Sequence, residues 1–80
     1  MAKYLIIQSE SGLPCAIIFN EALSHKDVAG NMKVISAGFV EIRENKCDGG
    51  LFAKTFGYSE SLNANSNPRD KDYIELALNH

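Results

Sequence analysis

Cys15, His25, Cys47 and Asp48 are the side chains whose chemistry could make a nucleophile or hold a metal ion, and Phe52-Ala53-Lys54-Thr55-Phe56-Gly57-Tyr58 is a run whose spacing suits binding. A cysteine nucleophile needs a base held against its thiol, and a zinc site needs closely spaced Cys and His. Neither pattern is present, because the two cysteines are single and far apart. Cys15, inside an apolar run, is expected to be a small buried hydrophobe, and His25, beside a capping Ser24, an exposed helix residue. The chain also has no phosphate-binding glycine loop, no nucleophile elbow and no carboxylate pair at a telling spacing. The expectation is a protein that is not an enzyme, with no catalytic or metal residue and no cofactor. A cysteine enzyme using Cys15 or Cys47 with His25 is the least supported alternative.

Phe52, Lys54, Phe56 and Tyr58 alternate along one strand face. Rings interleaved with a cation are what a single-stranded nucleic-acid platform uses, since rings stack on bases while the ammonium meets phosphate. The plainer expectation puts Phe52 and Phe56 in the core, where large aromatics supply most of the buried area of a small domain, with Lys54 near an edge. Eight Lys and Arg stand against ten Asp and Glu, interspersed, for a net charge of −2. That balance disfavours a general phosphate-backbone binder, whose affinity comes from clustered cations.

The elements that position these residues follow from turn chemistry and apolar alternation. Tyr4 to Gln8 and Cys15 to Phe19 form a hairpin across a polar turn, with Pro14 tolerated at the start of the second strand. Ser24 to Gly30 is a helix of one or two turns, capped by Ser24 and stopped by Gly30. Met32 to Arg43 and Leu51 to Tyr58 are two further strands, joined by a turn containing Asp48-Gly49. A polar run from Gly57 to Asn67 leads to a helix over 68–79 with Asn67 as N-cap, Pro68 at its first position and Ile74 and Leu78 on one face. The predicted fold is α+β over a single domain, residues 1–80, with a four-stranded, mainly antiparallel sheet in the order β-β-short α-β-β-α and the last helix on one face. The N-terminal apolar run is too short for a signal core or membrane span, so a cytoplasmic protein with reduced thiols is expected.

The strand from Lys33 to Arg43 is apolar or small on both faces at its middle: Val34, Ser36, Gly38 and Val40 alternate with Ile35, Ala37 and Phe39. One helix of this length covers one face of a four-stranded sheet and not both. Either a bulge at Gly38 switches the phase, or Ile35, Ala37 and Phe39 mark where another molecule sits. The long polar run adds Tyr58, Ser59, Glu60 and Ser61 to that candidate interaction surface, since long loops are disproportionately functional, although the plainer expectation is that its Ser and Asn side chains serve as local turns and caps.

Three segments, Ser24 to Gly30, Val34 to Val40, and Gly57 to Leu62 ahead of Ser66-Asn67-Pro68-Arg69-Asp70, together resemble small uncharacterised proteins of phages and bacterial prophage regions. That resemblance implies a non-enzymatic accessory protein that binds a host or phage protein, and carries over no catalytic residue. The expected partner is therefore another protein or a second copy in a homodimer. Nucleic acid ranks behind these, and no membrane is expected.

Overall fold

A computed structural model describes residues 1–79. Strands β1 (Ala2–Gln8), β2 (Pro14–Asn20), β3 (Val34–Glu44) and β4 (Leu51–Phe56) form one sheet in the order β2-β1-β3-β4, with antiparallel pairing throughout. Helix α1 (His25–Ala29) follows β2, and two short strands, β5 (Tyr58–Ser59) and β6 (Ala64–Asn65), pair with each other before helix α2 (Asp70–Leu78). This is the expected α+β arrangement with the C-terminal helix packed on the sheet. The long polar run departs from expectation: it contains its own hairpin, and β4 stops at Phe56, where Gly57 turns with φ of +78°.

Helix α2 sits on the face that carries Tyr4, Ile6, Val40 and Ala53, all buried, and it contributes Ile74 with Tyr73 and Leu78 beside it. It approaches the outer strands β2 and β4 most closely. The helix starts at Asp70, two residues later than predicted. Asn67 caps the preceding turn all the same: its Oδ1 accepts from the Arg69 N–H at 3.0 Å, and Asp70 Oδ2 accepts from the Asn67 N–H at 2.8 Å. Only the Asp70 half matches a capping box: Asn67 Oδ1 closes a turn on the Arg69 N–H, while the Asp70 N–H donates to the Asn67 carbonyl at 2.9 Å and Arg69 is the residue that precedes the helix.

The opposite face is covered by the chain itself along half its length. Leu5, Ala29 and Ala37 are buried there, with Ile17, Val28, Val34, Leu62 and Ala64 packed around them. Ala37 is thus sealed by α1 and the β5–β6 hairpin rather than by a second molecule, which corrects one of the two alternatives drawn from the sequence. The phase switch is also real but misplaced. The register runs Ile6 to Ser36 and then Ile7 to Val34, so Ile35 is the extra residue and is left 50% exposed while Val34 takes its place inside. Gly38 stays in register for another reason. A Cβ there would lie 2.6 Å from the Phe56 carbonyl oxygen and 3.3 Å from the Tyr4 ring.

Candidate functional site

The other half of that second face has no cover. Direct cross-strand pairs share a face, and β3 and β4 pair Phe39 with Phe56, Glu41 with Lys54, and Arg43 with Phe52. Two columns of three side chains result: Phe39, Glu41 and Arg43 on β3, and Phe56, Lys54 and Phe52 on β4. They point away from α2, whose side of β4 is taken by Ala53. Phe52 is 40% exposed, Lys54 and Arg43 are exposed, and Phe39, Glu41 and Phe56 are half-buried. The expectation that Phe52 and Phe56 are core residues is therefore overturned. Small Ala53, one position away in the alternation, lies under the helix instead.

The geometry of the face is specific. The rings of Phe39 and Phe56 stack with centroids 6.0 Å apart and planes 21° from parallel. Lys3 Nζ stands 6.0 Å from the centre of the Phe39 ring and donates to the Leu23 carbonyl at 2.8 Å. Arg43 donates to Glu41 Oε1 through both Nε (3.0 Å) and Nη2 (2.7 Å). Lys54 makes no ion pair among the described residues, although Glu41 is its direct neighbour across the strands.

Tyr58 does not extend the aromatic row. Gly57 carries it onto β5, where it is 54% exposed and its hydroxyl donates to Glu60 at 3.3 Å. With Lys3, His25, Phe39, Gly57 and Glu60 it lines an open cleft of about 640 Å³ at the end of the face. Of the residues singled out in the polar run, Tyr58, Glu60 and Ser61 are exposed, while Ser59 is 1% exposed and cannot contact a partner. Its hydroxyl accepts from the Leu62 N–H at 3.3 Å, and the Ser61 hydroxyl accepts from the Lys26 N–H at 3.2 Å, tying the hairpin to itself and to α1.

Two titratable side chains that could do chemistry are buried in structural bonds. His25 is 4% exposed rather than solvated: Nε2–H donates to the Gly38 carbonyl at 2.8 Å and the ring meets Phe19 and Phe39 edge-on. Asp70, unnoticed in the sequence except as a first-turn acid, accepts from Tyr4 Oη at 2.5 Å, from Ser36 Oγ at 2.6 Å and from the Asn67 N–H. Burial first, and then the hydrogen bond and charge of Asp70, push the Tyr4 phenol well above its ordinary pKa. Cys15 is exposed rather than buried, next to the start of the edge strand β2 and on the face away from α2; Cys47 is exposed as well, and both are free thiols. Among the described residues no group of three His, Cys, Asp or Glu could hold a metal ion.

Glu41, Arg43 and Lys3 are members of the face that sequence reasoning missed. Glu41 and Arg43 follow Phe39 at the same alternation, which was visible; the register that sets them beside Lys54 and Phe52 was not. No protein family model, curated protein or solved structure matches this chain.

Proposed function

We propose that this protein is a non-catalytic protein-binding module whose contact surface is the open half-face of β3 and β4. The observation that carries the reading is the direction of Phe52 and Phe56, away from α2, beside a half-buried Phe39. Large rings at the surface of so small a fold mark an interaction site, because aromatic anchors in a polar surround dominate protein interfaces. A carboxylate, Glu41, stands at the centre of the patch and holds Arg43, which suits a protein partner better than a phosphate chain. Panning a displayed random-peptide library tests this. Peptides retained by the native protein and lost with Phe52→Lys are expected; identical enrichment by both overturns the reading.

A second reading, single-stranded nucleic acid, is favoured by one feature: the stacked Phe39 and Phe56 rings are flanked by the ammonium groups of Lys3 and Lys54. Fluorescence titration with short oligonucleotides at low salt decides it. Binding that weakens with salt and with Phe56→Ala supports this reading, and no binding at low salt ends it. We read the protein as cytoplasmic, on the support of two exposed cysteines carried as free thiols. No helix among the described residues is long and apolar enough to cross a membrane.

A further inference from the structure

We infer that the open face of β3 and β4 binds a second copy of this chain, through a two-fold axis parallel to the strands and midway between them. This rests on the protein-binding reading above and names its partner. The pattern of the six side chains carries the inference, since a closed dimer needs a surface complementary to itself.

The face has three rows: Phe39 with Phe56, Glu41 with Lys54, and Arg43 with Phe52. Rotation about an axis in the interface plane and parallel to the strands exchanges the β3 and β4 columns and leaves each row at its own level. Glu41 then faces the partner's Lys54, and Lys54 faces the partner's Glu41. Phe39 meets the partner's Phe56 in an aromatic contact, and Arg43 lies over the partner's Phe52 in a cation–π contact. Every row is complementary, and each contact occurs twice. The other in-plane axis, perpendicular to the strands, keeps the columns and inverts the rows. It sets Glu41 against the partner's Glu41 and Lys54 against the partner's Lys54, so charge selects the first arrangement.

Aligned sheets cross at about 30° and stand about 10 Å apart, so the central charged row lies nearest the axis and the outer rows are displaced sideways by only a few ångströms, within reach of Phe and Arg. Lys54, which makes no ion pair within its own chain among the described residues, gains one across the axis. Six side chains cover well under the roughly 800 Å² per partner of a standard interface. The dimer is therefore weak and concentration-dependent.

Sedimentation equilibrium on the full chain from micromolar to millimolar concentration, combined with charge reversal, tests the arrangement. The mass of the native protein is expected to rise from the 8.8 kDa monomer toward a dimer. Glu41→Lys and Lys54→Glu should each weaken association about tenfold or more, because each sets like charges face to face. An equimolar mixture of the two variants should associate again, since Lys at position 41 then faces Glu at position 54 of the other chain. Repair of a cross-strand pair within one chain cannot produce that result. Phe52→Lys, at the edge of the patch, should also dissociate the dimer, and circular dichroism establishes that each variant is folded. A native protein that stays at monomer mass at millimolar concentration, or a mixture that stays apart, overturns the dimer. If displayed peptides still bind the face, the binding reading survives that result; if they do not, both fall.

Discussion

Asp70 is the acceptor for two hydroxyls and a backbone amide inside the fold, and it is 2% exposed. Asp70→Ala leaves the Tyr4 and Ser36 hydroxyls and the Asn67 N–H without an acceptor. The expected loss is at least about 3 kcal/mol, measured by urea unfolding. Asp70→Asn keeps one acceptor oxygen and should lose less. Tyr4 gives a pH signature. Its phenol is raised in the folded state above the ordinary value near 10, so on going alkaline the unfolded chain ionises first. The stabilisation is complete below pH 10 and is lost progressively above it. Tyr4→Phe should flatten that alkaline decline relative to the native protein in denaturant titrations, at a cost of about 1–2 kcal/mol near neutrality. The exposed Cys15 and Cys47 should both react with a thiol reagent in the folded state as fast as in the unfolded one. Asp70 was legible in the sequence as a helix-start acid, but its partners lie 66 and 34 positions away. No local pattern joins residues at that separation.

At the scale of elements, the turn at Gly57 decides what the open face contains. Ending β4 at Phe56 allows the chain to fold back, so that Leu62 and Ala64 cover Ala37 while Phe39 and Glu41 on the same face are left half-buried and Arg43 exposed. Gly57 has φ of +78°, and a Cβ would lie 2.9 Å from Phe39. Gly38 allows the close passage of the Phe56 carbonyl. Gly38→Ala and Gly57→Ala should each destabilise the fold by about 1–3 kcal/mol, read as a lowered denaturant midpoint with an unchanged slope. Leu62→Ser should loosen the β5–β6 hairpin and speed amide exchange in α1 and at Ala37, with β4 little affected. The bulge at Ile35 was legible only as a need. The doubly apolar strand demanded a phase change or a cover, and the fold supplies both, three residues from where glycine suggested it. Glycine signalled close approach instead, a role that the same local sequence can serve.

For the whole molecule, α2 covers one face of the sheet except at its Ile42 end, the chain half-covers the other, and the open half of that second face carries Phe39, Phe52 and Phe56 with charges of both signs. Raising the salt concentration should weaken self-association measurably, because the central row pairs Glu41 with the partner's Lys54 at a solvent-accessible interface. If single-stranded nucleic acid were the partner, salt would weaken oligonucleotide binding and leave the mass of the free protein unchanged.

The sequence by itself determined the four main strands, both helices, their order and the antiparallel α+β class, because caps, turn residues and alternation act over a few positions. It also determined that one helix could not cover both faces of β3. Only the tertiary structure decided which residues lie uncovered. The choice between Ala53 and its neighbours Phe52 and Lys54 for the helix side, the seating of Leu62 over Ala37, and the burial of His25 and Asp70 all depend on register and long-range packing. A shift of one residue in pairing exchanges every side chain between faces. Phe52, which local composition assigned to the core, therefore lies on the surface, and Phe56 is half-buried beside it on the face away from the helix.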